Sequence, residues 1–333
     1  MRRSMLVLIL IAVLIPQAIA KKWTVDNNPG NSADFATLQA AHDGVADGDT
    51  LYVRGSATNY AGITLSKTLF IFGPGYFLTE NPKTQANAKR ASVSGSSFNF
   101  GSEGSLITGF TFISGSSINA SGVIFKRNFV SLGGLNSAGI TVLNSNVTIS
   151  QNYIITNATN FGLASLLLQG SNSVVTNNYI ESTTGRAINP QTAITTASYN
   201  IQNNVILGNV NIVNADFKNN VLISGTYTAG STTTTNNIGN ATQFGTADGN
   251  QESVDMATVF LGAGSTDGQW KLATGSPAIG AGVGGIDVGM FGGTDPYVLS
   301  GIPHIPNIYQ FDGPTTGSTT AGLPITLKVK SNN

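Results

Sequence analysis

Acidic residues are scarce in the middle of this chain. Between Ala91 and Asn240 there are three: Glu103, Glu181 and Asp216. Cleaving a glycosidic bond by acid–base chemistry takes two carboxyl groups within about 10 Å of each other, and calcium is held by carboxylate oxygens. The best constellation for either task is Glu181, Arg186, Asp216 and Lys218. Asp216 and Lys218 are two residues apart on an expected strand and so face the same way. Glu181 follows an expected strand two repeats earlier, with Arg186 in the loop after it. A calcium-binding acid pair with a basic residue beside it is one reading of this set. The other is a surface ion pair worth less than about 1 kcal/mol.

Other groups of reactive residue types are less convergent. Asp43, Asp47 and Asp49 lie close together, and Asp47-Gly48-Asp49 has the composition of a calcium loop, yet Gly-Asp before a strand also makes a plain turn. His42 falls on an expected helix and His304 in a Pro-containing tail, which makes both structural. Gly280-x-Gly282-x-x-Gly285 has the spacing of a dinucleotide fingerprint but lacks the strand before it and the helix after it. The threonines of the run Ser231 to Thr235 do not recur from repeat to repeat, as an ordered water-binding array would require. Cysteine is absent, which excludes disulfides, thiolate metal sites and a cysteine nucleophile.

The elements that would position these groups come from a repeat. Six copies of one phrase place an apolar residue three positions before an asparagine and mostly apolar residues after it. The asparagines are Asn128, Asn152, Asn178, Asn204, Asn220 and Asn237, spaced 24, 26, 26, 16 and 17 apart. Repeats of this length imply stacked units that cannot bury an apolar face alone. Three before the asparagine stand Phe125, Ile149, Val175, Ile201, Phe217 and Thr234. Two after it stand Val130, Ile154, Ile180, Ile206, Leu222 and Gly239. Strand alternation cannot put two columns five residues apart on one face, so the chain must bend at the asparagine. A left-handed backbone at the asparagine is expected, with Gly109 in the same slot one coil earlier and the two residues before the asparagine facing outward. Amides stacked about 4.8 Å apart would bond to one another along the column.

Before the repeats the pattern predicts a strand at Trp23–Val25 and an amphipathic helix near Phe35–Val45, capped by Ser32 or Asp34, covering the apolar end of the first coil. Residues 1–20 read as a secretory signal peptide, with Arg2 and Arg3, an apolar run from Leu6 to Ile15, and Ala18-Ile19-Ala20 as the cleavage site. No later segment is apolar enough to span a membrane. Charged residues make up 10% of the chain, against about a quarter in most proteins, and the two signs balance. That leaves no basic patch for nucleic acid. The division expected is 1–20 signal, 21–50 N-terminal cap, 51–294 repeats with a Gly-rich closing segment, and 295–333 tail. The tail, punctuated by Pro303, Pro306, Pro314 and Pro324, reads either as an attachment segment or, on its apolar residues from Leu323 to Val329, as a strand closing the last coil, and the second is the expectation.

The segments Ala33-Asp34-Phe35-Ala36-Thr37-Leu38-Gln39-Ala40-Ala41 and Gly48-Asp49-Thr50-Leu51-Tyr52-Val53, with the Asn-turn repeats, resemble the right-handed parallel β-helix superfamily that includes the pectate lyases. Leu272 to Gly282 followed by Gly285-Ile286-Asp287-Val288-Gly289 resembles the C-terminal closing motif of secreted bacterial members. The resemblance implies an all-β, right-handed, single-stranded parallel β-helix with an N-terminal capping helix. Polysaccharide lyases of this kind use acidic calcium ligands with a basic residue, and related glycosidases use clustered aspartates. Here the column two before the asparagine reads Lys126, Ser150, Thr176, Gln202, Lys218 and Thr235, with no carboxylate. Phe70-Ile71-Phe72-Gly73 lacks the aspartate of the esterase motif. The expectation is a secreted, non-catalytic protein with a structural, adhesive or glycan-contact role, needing no cofactor, with polysaccharide or cell-surface partners. The alternative is a calcium-dependent lyase or hydrolase acting on an acidic glycan.

Overall fold

The computed structural model describes residues 20–133, 137–157, 163–190, 198–314, 316–317, 320 and 322–332. The expected signal segment, Ala20 apart, lies outside them. Among the described residues no helix is long and apolar enough to cross a membrane.

The molecule is predominantly β, with two α-helices among the described residues. Ten parallel strands form one sheet, from Lys22–Val25 and Thr50–Val53 through to Ala215–Lys218 and Thr233–Thr235. From Thr50–Val53 onward the chain visits a second, fourteen-stranded sheet before each return. That second sheet consists of two rows joined through long strands. Tyr179–Pro190 pairs with Tyr153–Thr156 by its first half and with Ala164–Leu168 by its second. This arrangement of parallel sheets is compatible with a parallel β-helix.

Register follows the apolar columns. Phe125, Ile149, Val175, Ile201, Phe217 and Thr234 are successive Cα partners in the first sheet. Val130, Ile154, Ile180, Ile206, Leu222 and Gly239 are successive partners in the second. Most are fully buried in one continuous core. Each large aliphatic or aromatic side chain removed from water there contributes about 1.5–3 kcal/mol.

The helix is shorter than its periodicity predicts. It spans Leu38–Gly44, with Thr37 as N-cap accepting from Ala40 N at 3.1 Å. Asp34 is unavailable for capping because its Oδ2 accepts from both Thr24 N and Thr24 Oγ1 at 2.7 Å. Phe35 is held extended, its backbone bonded to Thr24 and Asp26. Leu38 and Ala41 enter the core, and Lys67 Nζ donates to the last carbonyls, His42 O and Val45 O, both at 2.8 Å.

The C-terminal quarter differs from its expected course. Residues 254–302 do not close the last coil. They run back along the stack and cover the outer side of the turn with a second apolar cluster. Phe129, Tyr153, Tyr179, Val205, Val221 and Ile238, one past each asparagine, are buried there against Val259, Phe260, Val288, Met290 and Tyr297. Trp270, which position along the chain puts at the far end, stacks on Tyr179 at 4.8 Å, and Tyr179 stacks on Tyr153 at 4.4 Å. Asp267 is fully buried and anchors the segment, accepting from Asn81 Nδ2 (2.9 Å), Ser265 Oγ (3.0 Å), Ser300 N (2.6 Å) and Tyr297 OH (3.2 Å).

The tail strand also pairs elsewhere. Thr326–Lys330 forms an antiparallel hairpin with Asn307–Asp312, held beside the early coils by Ala86 N donating to Ile308 O and by Asn307 Nδ2 donating to Thr84 O. Its apolar side chains were legible, but their partner is this hairpin rather than the last coil.

Candidate functional site

The asparagine column is a continuous hydrogen-bonded ladder. Asn128, Asn152, Asn178, Asn204, Asn220 and Asn237 are each fully buried. Each Oδ1 after the first accepts from the backbone N of the asparagine one coil earlier, at 2.9–3.0 Å. Each Nδ2 donates to a backbone carbonyl of the preceding coil, as Asn204 does to Val175 O at 2.9 Å, and to the next asparagine's Oδ1 at 2.9–3.3 Å. A seventh member, Asn250, receives Asn237 N at 2.9 Å. Its 13-residue spacing and the missing apolar flank hid it from pattern reading.

The left-handed residue is not the asparagine but the one before it. Arg127, Gln151, Asn177, Asn203, Asn219 and Asn236 have φ of 53–56°. Gly109 pairs with this column, not with the asparagines, and Phe110 N donates to Asn128 Oδ1 at 3.1 Å in the ladder slot. A Cβ at Gly109 would lie 2.7 Å from both Gly73 O and Pro303 Cγ, so glycine is required there. A non-glycine residue in this conformation costs about 1–2 kcal/mol. The ladder bonds beside it offset that cost.

This second column was expected to face solvent, but the returning C-terminal segment buries it from Arg127 to Asn219 and partly covers Asn236. Asn236 Nδ2 donates to Ala281 O (2.8 Å), and Asn219 Oδ1 accepts from Val283 N (2.9 Å). Asn177 Nδ2 donates to Met290 O (2.9 Å) and Gly292 O (2.7 Å), and Gln151 Nε2 to Asp295 Oδ1 (2.6 Å). Arg127 donates to Gln151 Oε1 (2.5 Å) and Ile302 O (2.7 Å). Burial pushes its guanidinium down to about 10, partly countered by Asp295.

The candidate catalytic residues are divided between the sheets. Asp216 and Lys218 lie on the first, in a 2.5 Å ion pair at the surface. Glu181 lies on the second, two coils earlier, with Oε2 accepting from Tyr179 OH at 2.8 Å. Burial, followed by the charges around it, raises the Tyr179 phenol far above its ordinary value, so it stays a donor. Arg186 is within the strand Tyr179–Pro190, not in a loop, and its Nη1 donates to Asn189 Oδ1 at 3.3 Å.

The candidate metal residues serve as turn acceptors. Asp49 is buried and accepts from Lys21 N (2.7 Å), Trp23 Nε1 (2.8 Å) and Ala46 N (3.1 Å). Burial works to raise its pKa, but these bonds outweigh it and hold the carboxyl below the ordinary aspartate value. Asp47 Oδ1 accepts from Thr68 N at 2.9 Å. Among the described residues, no three His, Cys, Asp or Glu side chains converge as a metal site would need.

One arrangement escaped pattern reading. His42 Nδ1 lies 2.7 Å from Asp43 Oδ1, and Ser66 Oγ lies 3.3 Å from His42 Nε2. This has the connectivity of a Ser–His–Asp triad. However, Nε2 also accepts from Ser66 N at 3.1 Å, so the lone pair a general base needs is already bonded. The imidazole pins the helix to the coil beneath it.

The outward face of the first sheet carries a column that runs on past the repeats. Extended toward the N-terminus, the column of Lys126 and Ser150 continues as Thr108, Phe72, Tyr52 and Thr24. Tyr52 and Phe72 are half-buried and stacked, with ring centres 5.7 Å apart at 28°. Phe70, 37% exposed, shares their face. These aromatics precede the first asparagine repeat, so alignment on asparagine never reached them.

No protein-family model matches this chain, and no curated protein is similar enough to match it.

Proposed function

We propose that this chain is a secreted, right-handed parallel β-helix of the pectin-lyase-like kind, closed at its head by the helix Leu38–Gly44. Its role is a non-catalytic one of structure, adhesion and glycan contact, in the envelope or outside the cell. The observation that carries this reading is the placement of the acids on the coils. Glu181 and Asp216 are on different sheets, and each carboxylate is already engaged, by the Tyr179 hydroxyl and by Lys218. Acid–base cleavage or calcium-assisted elimination needs carboxylates that converge on one substrate. The exposed first sheet instead presents hydroxyls, amides and a short run of aromatic rings, the side-chain types that meet sugar hydroxyls and apolar sugar faces.

The test is reducing-end release and unsaturated-product absorbance on a panel of acidic and neutral polysaccharides, with and without calcium, beside a glycan array. Binding without turnover is the expected result. Calcium-dependent turnover that disappears in Arg186→Ala would overturn the reading and place an active site at Glu181 and its neighbours.

A further inference from the structure

The hairpin formed by Asn307–Asp312 and Thr326–Lys330 is amphipathic. Ile308 pairs with Val329 and Phe311 with Leu327, while Gln310 pairs with Lys328. The four apolar side chains are 43–60% exposed, which is unusual for the apolar face of a two-stranded ribbon. Ile308 and Phe311 do not simply face bulk solvent. With Tyr52 and Phe72 of the first sheet they line a cleft of about 680 Å³. Pockets for small ligands run from about 300 to 1,000 Å³ and combine apolar walls with a few polar groups.

The polar groups here are planar and have bonding capacity to spare. Arg54 has a side chain 67% exposed, and its nearest carboxylate, Asp26, is 4.0 Å away. Asn87 Oδ1 accepts from Lys89 N at 3.1 Å, which leaves its amide N–H groups for a ligand. Gln85 is fixed at the wall through Nε2 to Pro74 O at 3.3 Å. A stacked pair of aromatic rings on one wall, apolar side chains on the other and guanidinium and amide groups at the rim match one chemistry. That ligand has flat apolar C–H faces and hydroxyls on its edges.

Resting on the glycan-contact reading above, we propose that this cleft is the glycan-binding site. A pyranose ring packs its C–H face against the exposed side of the Tyr52–Phe72 pair, its hydroxyls bond Arg54 and Asn87, and the hairpin supplies the opposite wall through Ile308 and Phe311. Phe70 extends the platform outside the cleft. The stacking rings are outside the inner core, so their loss removes binding without removing the fold.

The experiment uses the full mature chain on a glycan array, then calorimetric titration of the best glycan with wild type, Tyr52→Ala, Phe72→Ala and Phe311→Ser. The expected result is a Kd weaker by about tenfold or more for each ring variant, an intermediate loss for Phe311→Ser, and cooperative melting lowered by only a few degrees. Tyr52→Phe, which keeps the ring, retains affinity within about threefold. Wild-type binding that survives both ring deletions would sink the cleft assignment and leave the glycan-contact reading standing. No binding by wild type to any neutral or acidic glycan would remove both. A peptide or lipid that binds in place of glycans, with loss in the same variants, would keep the cleft but overturn its ligand.

Discussion

Two adjacent columns in the same turn are stabilised in opposite ways. The asparagines from Asn128 to Asn250 bond to one another, coil to coil, over sequence separations of 13–26 residues. The residues just before them, Arg127 to Asn236, bond to a segment 45–175 residues away. The first column repeats its own solution, so one residue type recurs at a fixed place. The second is solved at each level by a different backbone atom of the returning segment, so arginine, glutamine and asparagine serve equally. Periodic contacts leave a signature in the sequence, and contacts to an irregular strap do not.

The largest effect that would sharpen this contrast is at the centre of the ladder. Asn204→Ala strips Asn178 N and Val175 O of their partners inside the stack, and each buried orphan costs about 1–3 kcal/mol. A loss of about 2–5 kcal/mol in urea unfolding is expected. A loss under 1 kcal/mol would mean that the ladder is incidental to the turn.

Next comes Asn177→Gly in the neighbouring column. It loses two bonds to the strap, at Met290 O and Gly292 O, but removes the strain of a left-handed asparagine. The expected loss is about 1–2 kcal/mol, with protease cleavage between residues 281 and 302 speeding up before global unfolding changes. If Asn177→Gly is as damaging as Asn204→Ala, the two columns do not differ in kind.

Acid stability probes a third turn, at Asp49. Its pKa is held down in the fold, so it contributes stability above the unfolded value near 4, which is lost as pH falls through the folded value. Asp49→Asn should therefore lower stability at pH 7 and flatten the acid side of the stability profile, read by melting between pH 2 and 7. The smallest effect is expected at Asp216→Ala. The Asp216–Lys218 pair is part-exposed, and its loss should change stability by less than about 1 kcal/mol.

Much of the β architecture was legible because strand register is set by the two inward columns, Phe125 to Thr234 and Val130 to Gly239. What the asparagine did was harder to read. Its recurrence was visible, but the left-handed conformation belongs to the residue before it, and Gly109 marks that slot rather than the asparagine's. Apolar residues one past each asparagine, such as Tyr153 and Tyr179, look like exposed strand positions until the strap from Val259 to Tyr297 covers them. The aromatic pair Tyr52 and Phe72 was missed for a related reason. Their coils carry no asparagine, so only the strand pairing aligns them with Thr108 and Lys126.

The decisive measurement recovers a polysaccharide from its complex with this protein and compares its chain length before and after prolonged incubation, with calcium present. A captured glycan of unchanged length, released in lower yield by Tyr52→Ala, is the expected result. A captured glycan that shortens with time, and does so with Tyr52→Ala as fast as with wild type, would contradict it.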